Sequence, residues 1–348
     1  MKLRTLGLVL LLGLAACDSP TPAAATAISC AAGSIAGQGS SAQANAVNAW
    51  IKDYQVACAA ATVQYTSSGS SAGLAAFIAG TGTFAGSDSP LTAADQPKAN
   101  ARCGSGPAIH LPMVVGPIAL AFNVAGVEAL QLKPATIARI FAGAITKWND
   151  PAIAADNPGT ELPATSISTV HRSDGSGTTD NFTKFLAATA GGDWSFGSGS
   201  AWTAPGGIAV KGSNRVVSAI ERTEGAIGYV EASYARFHEL PTARVGNAAG
   251  EFAPLTDAAA GVTVAGARIT GTGGDLQLAV DYATRAAGAY PIVLVTYEVV
   301  CKTGTPALVK SFFAYASSPA GQAAATQLGY APLPDALRTK VAAAVAGL

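Results

Sequence analysis

Charge is scarce in this chain. Only 12% of its 348 residues are Asp, Glu, Lys or Arg, and the two signs balance at 21 each. Without a basic excess no field gathers a polyanion, so nucleic acid is excluded as a partner class. Histidine is scarcer still. The three, His110, His171 and His238, form no ligand-spaced pair such as H-x-x-x-H, and no two cysteines lie close enough for a zinc motif. An enzyme needs an activated nucleophile, a general base or a metal. The expectation is a protein that is not an enzyme and carries neither metal nor cofactor. No period of the solenoid type recurs, which argues against a repeat-built adhesin.

The N-terminus is where charge and apolarity are organised. Lys2 and Arg4 precede the apolar run Leu6–Ala16, which is too short to cross a bilayer and has the layout of a signal peptide. It ends in Leu14-Ala15-Ala16-Cys17, which resembles a bacterial lipobox. That resemblance implies a lipoprotein signal peptide over 1–17, cleaved before Cys17, with diacylglycerol on the sulfur and further acylation holding the protein to the membrane. Residues 18–29 read as a flexible tether. Losing Lys2 and Arg4 leaves the mature chain two charges negative. Cys30, Cys58, Cys103 and Cys301 remain, an even number, and in an exported protein that favours disulfides.

A hydrophobic content of 49% with 39 glycines fits a large, well-packed body, and the length suggests two domains. From Gly33 onward, strand, polar loop and helix alternate. Strands are expected at Ser34–Gly39, around Val63 and Tyr65, and at Phe84–Ser87. Val47, Trp50, Ile51 and Tyr54 recur at helical spacing. The run 66–73 reads as a Gly/Ser turn before a short helix from Leu74 to Ala79. The fold class is α/β, with mixed but mostly parallel sheets flanked by helices. Two apolar stretches far apart in sequence, 109–123 and 290–300, suit crossings between two lobes. Lobe I would then be discontinuous, 30–117 plus 292–348, with 118–291 as lobe II and a ligand cleft between them. Three disulfide connectivities are possible. The topology favours Cys30–Cys58, at the sheet edge away from the cleft, and Cys103–Cys301, at the ends of the two crossings.

Residues 171–179, H-R-S-D-G-S-G-T-T, concentrate one fixed cation, one carboxylate, two glycines and four hydroxyls. An apolar run, Ile167–Val170, precedes them, and Phe182, Phe185 and Leu186 mark one face of a following helix over Thr178–Ala188. Ser176, Gly177 and Thr178 therefore sit at a helix N-terminus, where orphan N–H groups and the dipole favour an anion. Arg172 adds a fork of donors suited to an oxyanion. Gly39-Ser40-Ser41 and Gly69-Ser70-Ser71 repeat the logic before two other helices. A parallel α/β sheet puts such loops on one edge, where ligands bind. One loop of this kind is ordinary capping chemistry, but three in register with one arginine point to an anion site. His171 would alternate away from Arg172 and reads as structural.

These segments are similar to the motifs of the phosphate-specific substrate-binding proteins of ABC transporters. The likeness rests on G-Q-G-S-S-A (37–42), G-S-S-A-G (69–73), F-A-G-S-D-S-P-L (84–91), K-W-N-D-P-A-I (147–153), H-R-S-D-G-S-G-T-T (171–179) and G-A-I-G-Y-V (225–230), in the family's order over most of 33–300. The resemblance implies a periplasmic-binding-protein-like fold of two hinged lobes. It implies capture of inorganic phosphate outside the bacterial plasma membrane and delivery to the transmembrane subunits of an ABC import permease. The lipid anchor would be the only tie to the membrane and the protein a monomer. Asp18 after the lipidated cysteine would keep it at the inner membrane, on the periplasmic face, where two membranes exist.

Carried over residue by residue, the resemblance makes Ser41, the Ala42 backbone, Ser70, Asp88, Arg172, Ser176, Gly177 and Thr178 ligand residues, with Ser40 and Asp174 supporting. Where the family often has Thr-Phe, this chain has Ser41-Ala42, which keeps the hydroxyl and the N–H but loses an aromatic wall. Whether Ser40 or Ser41 faces the ligand stays open. Asp174 is read as orienting Arg172 or as a turn residue. A carboxylate at Asp88 makes sense beside an anion only if the ligand brings a proton, as hydrogen phosphate does and sulfate does not. Alternatives are a site for another oxyanion or a phosphate sensor, and for Asp88 a turn-capping role before Pro90.

Overall fold

The structure, a computed structural model, describes residues 28–348, so the expected signal peptide, Cys17 and nearly all of the tether lie outside the described residues. Eight strands form the main sheet. In chain order they are β1 (Gly33–Gly39), β2 (Ala61–Ser67), β3 (Phe84–Ser87), β4 (Ala108–Asn123), β5 (Ser168–Arg172), β6 (Ile208–Val210), β7 (Ala226–Glu231) and β8 (Val293–Cys301). Across the sheet they run β2-β1-β3-β8-β4-β7-β5-β6. The pairs at either end, β1 with β2 and β3, and β5 with β6 and β7, are parallel. Within this sheet the antiparallel pairs all involve the two crossing strands β4 and β8.

Sequence explains why β4 can serve both ends of the sheet. It is apolar almost throughout, as a strand covered on both faces must be. Residues Ala108–Pro117 pair with β8, and Ile118–Asn123 pair with β7. The partner changes at Pro117, which has no N–H to give to a ladder. The chain on either side of this switch builds its own helix layers. Trp50, Tyr54, Phe77, Phe84 and Phe313 pack around the β1 end, and Phe141, Phe182, Tyr229 and Trp148 around the β7 end. The stretch 257–282 leans back on the first crossing. Leu276 N donates to His110 O at 3.0 Å, and Asp275 Oδ1 accepts from His110 N at 2.8 Å.

The first helix spans Ala44–Ala57, with Val47, Trp50 and Tyr54 buried. The second differs from the sequence reading, since it starts at Ser70 and ends at Ile78. Gly69 adopts φ 99°, which lets the chain turn into the helix at once instead of through a longer loop. Gly73, expected in the turn, lies inside the helix where it touches β1. A Cβ there would sit 2.5 Å from Gln38 O and Gly39 Cα. Both expected disulfides are present, Cys30–Cys58 at the start of β1 and Cys103–Cys301 at the end of β8. No helix among the described residues is long and apolar enough to cross a membrane.

Candidate functional site

Four strand ends, those of β1, β2, β3 and β5, feed the site. β1 ends at Gly39, where a side chain would collide with Gly86 O, and the chain turns through Ser40 and Ser41. Ser40 Oγ donates to Asp88 Oδ1 at 2.5 Å and accepts from Ala42 N at 3.0 Å. Its hydroxyl is thus committed within the loop. Ser41 Oγ points across the cleft instead, 2.9 Å from Ser213 Oγ, and accepts from Ser213 N at 3.2 Å. Of the two serines, Ser41 is the one aimed at the opposite half.

Asp88 follows β3 and is 3% exposed. Its Oδ1 accepts from Ser40 and from Thr296 Oγ1 (3.0 Å), and its Oδ2 from Ser70 Oγ (3.3 Å). Its carboxylate accepts from Ser40, Ser70 and Thr296 and, among the described residues, from no amide of its own turn, so the turn-capping alternative does not describe Asp88. Burial pushes its carboxyl pKa up, and the bonds from Ser40 and Thr296 and the charge of Arg172 only partly offset this. Ser70, the first residue of its helix, also accepts from Gly177 N at 3.1 Å, which ties the second loop to the third.

The third loop leaves β5 at Arg172, which is 3% exposed. Its Nε and Nη2 donate to Asp174 Oδ1 and Oδ2 at 2.6 and 2.5 Å, a fork gripped by a carboxylate. Its Nη1 makes no hydrogen bond among the described residues. Burial would raise Asp174, but its bonds to Arg172 and the guanidinium charge outweigh this and hold it below the usual carboxylate range. Asp174 therefore orients Arg172, one of the two roles considered for it. Ser176 caps the helix Gly177–Thr189 by accepting from Thr179 N. Gly177 must lack a side chain, because a Cβ would lie 2.5 Å from Asp88 Cβ. Thr178 Oγ1 is buried with no partner among the described residues. A buried hydroxyl left unpaired costs about 1–3 kcal/mol, which a ligand oxygen beside Thr178 would recover.

The structure thus brings together the loops that carry the sequence-derived ligand candidates, while Cys17 lies outside the described residues. The halves are clasped by further bonds, including Ser71 N to Gly175 O (3.2 Å) and Ser89 Oγ to Asp180 Oδ2 (2.5 Å). The sequence reading missed Thr296, Ser213 and Asn181. Asn181 Nδ2 bridges Asp88 O and Gly177 O at 2.8 and 2.7 Å. Ser213 had a visible signal, since Gly212-Ser213 opens a helix as the other Gly-Ser loops do. His171 is structural. Its ring nitrogens lie near the carbonyls of Arg172 and Gly206, and it stacks on Trp202. Among the described residues no cluster of three or more His, Cys, Asp or Glu is placed to hold a metal.

Two buried carboxyls back the site. Burial pushes Glu231 and Glu298 up to about 8. Each has one oxygen without a partner among the described residues. A carboxyl neutral in the fold but ionised in the unfolded chain stabilises most below its unfolded pKa, and that stability is lost as pH rises through the folded value. The thermal midpoint is therefore expected to fall from pH 5 to pH 8.5, and Glu298→Gln to flatten that slope. A slope unchanged in the variant would show that Glu298 does not titrate in this window.

The chain matches the model of the PBP superfamily domain over residues 24–320. It is 41% identical over 316 residues to phosphate-binding protein PstS 3 of Mycobacterium tuberculosis, covering 88% of this chain and 84% of the relative. It is 42% identical over 318 residues to PstS 2 of the same organism, covering 88% and 85%. A relative from Xylella fastidiosa, phosphate-binding protein PstS, is 34% identical over 317 residues. In fold it is similar to a phosphate-binding protein from Stenotrophomonas maltophilia, with a TM-score of 0.71 at 22% identity over 90% of this chain and 94% of that one. It is equally similar to the periplasmic phosphate-binding protein PfluDING, with a TM-score of 0.71 at 24% identity over 89% and 93%. By the family model and by these identities, the chain belongs to the PBP superfamily and, within it, to the family of the phosphate-binding proteins PstS.

Proposed function

We propose that this chain captures one hydrogen phosphate ion outside the plasma membrane and hands it to an ABC-type import permease. Lobe I would be 30–117 with 292–348 and lobe II 118–291, hinged where β4 changes partner, with 257–282 of lobe II resting on lobe I. The ligand set is Ser41, Ala42 N–H, Ser70, Asp88, Arg172, Ser176, Gly177 N–H and Thr178, with Ser40 bracing Asp88 and Asp174 bracing Arg172; the two amides, which donate to Ser40 Oγ and Ser70 Oγ, would turn to the anion when it binds. The observation that carries this reading is Thr178 Oγ1. It is a buried donor without a partner among the described residues, in the first turn of a helix whose first residue, Gly177, packs against the buried Asp88.

Chemically the site is a preorganised cage of neutral donors and one cation, closed by hinge motion, with no covalent step. Local hydrogen bonds and helix termini supply the affinity, because the chain has no basic field. The lipid anchor on Cys17 would keep the monomer at the membrane beside the permease. Deleting the chain in its native host should abolish high-affinity uptake of labelled phosphate, and the wild-type gene should restore it. A Cys17→Ala form should appear in the soluble fraction. Unchanged uptake in the deleted strain would remove the delivery role.

A further inference from the structure

The loop that carries Ser41 and Ala42 is held from behind by three tyrosines. Tyr65 OH donates to Ser40 O at 2.8 Å, Tyr234 OH to Ser41 O at 2.6 Å and Tyr330 OH to Ala42 O at 2.6 Å. Three consecutive carbonyls are thus taken by three hydroxyls from distant parts of the chain. In a trans peptide the next residue's N–H points opposite to the carbonyl. Fixing these carbonyls therefore fixes the N–H groups of Ser41, Ala42 and Gln43, of which Ala42 N is given to Ser40 Oγ at 3.0 Å. Ser41 N and Gln43 N make no hydrogen bond among the described residues, though Ser41 is 4% exposed and Gln43 fully buried. Buried, unpaired amides on one face of a loop are what an anion needs.

The three tyrosines differ in where they come from. Tyr65 lies at the middle of β2, and Tyr330 precedes the bridge between Ala331 and Val115 of β4. Both belong with the loop to the same half. Tyr234 belongs to the helix Ala232–Phe237 that follows β7, in the opposite half. Its neighbour Ser233 is tethered to Glu231, receives Asn45 Nδ2 at 2.9 Å and donates to Tyr330 OH at 3.2 Å, so with Tyr234 this helix meets the first half at three points.

We infer that Tyr65 and Tyr330 are positioning residues that aim the Ser41 and Gln43 amides at the bound anion, and that Tyr234, which holds the intervening Ser41 carbonyl from the opposite half, is a latch formed only on closure. This rests on the phosphate reading above. Tyr65 and Tyr330 preform the loop in the open protein. Tyr234 completes it when the second half arrives, so loop order and closure are one event.

The test is Tyr→Phe at each position, with phosphate release followed by stopped flow and thermal unfolding measured on phosphate-stripped protein. For Tyr234→Phe, release is expected to quicken about tenfold, the loss typical of one buried hydrogen bond. Its association rate should stay within about twofold, as interface changes act mainly on dissociation. Its phosphate-free thermal midpoint should match the parent, whereas Tyr65→Phe and Tyr330→Phe lower theirs. An unchanged release rate would overturn the inference. So would a phosphate-free midpoint lowered in Tyr234→Phe as much as in Tyr65→Phe, because the bond would then exist without closure. If the wild-type chain binds no phosphate, the functional reading fails and takes this inference with it. Binding by wild type with an indifferent variant removes this inference alone.

Discussion

Arg172→Ala is expected to weaken phosphate binding by about two to three orders of magnitude. Arg172 is the one cation among the proposed ligand residues, it is buried, and its bonds to an oxyanion would be charge-assisted. Its loss also strands Asp174, whose two oxygens it now holds at 2.6 and 2.5 Å. Removing one member of a buried ion pair costs about 3–5 kcal/mol, because a charge remains that nothing compensates. Here the orphan is a carboxylate at the site of an incoming anion, so repulsion adds to the missing bonds. Arg172→Lys should recover little, since an ammonium cannot hold both Asp174 oxygens and still present a donor to the ligand. Isothermal titration of each variant checks this. A loss of less than about tenfold would mean that helix termini and hydroxyls bind the anion unaided.

Asp88→Asn should act on selectivity instead. An ionised carboxylate offers about four acceptor positions. Ser40 and Thr296 occupy Oδ1, and Ser70 occupies one position on Oδ2. One acceptor remains, which suits a ligand bearing one O–H. Hydrogen phosphate supplies that proton. Sulfate would place an oxygen against it with nothing between, and a site built for a ligand O–H rejects an analogue lacking it by about 10⁴-fold or more. An amide at this position offers N–H donors that sulfate can use. Phosphate affinity should therefore fall while sulfate affinity rises, so that the gap shrinks to about a hundredfold or less. Competition titrations with both anions measure the ratio. Equal losses for the two anions would end this account of discrimination.

How far these residues could be read beforehand depends on the range of the interaction. Ser41, Ser70 and Ser176–Thr178 were legible because strand end, glycine and hydroxyl at a helix start are local chemistry, spelled out within a few residues. The crossing strands were legible because a stretch buried on both faces is apolar whatever it pairs with. The start of the second helix at Ser70 was not, since it depends on Gly73 lying against Gln38 and Gly39 of another strand. Thr296 was hidden for the same reason. It is one hydroxyl in an apolar strand, and it meets Asp88 across 208 positions of sequence. Of the three tyrosines behind the first loop only Tyr65 entered the sequence analysis, as a strand position, and only tertiary packing shows that their hydroxyls have partners. The choice between Ser40 and Ser41 needed Asp88 and Ser213 in place, because both serines carry the same group.

The measurement that bears most directly on the account is calorimetric titration of phosphate-stripped protein near neutral pH, with phosphate and then with sulfate. The cleft built by Asp88, Arg172 and the Gly177 helix terminus predicts tight binding of one phosphate per chain and no measurable sulfate binding. Sulfate bound as tightly as phosphate, or neither anion bound, would contradict it.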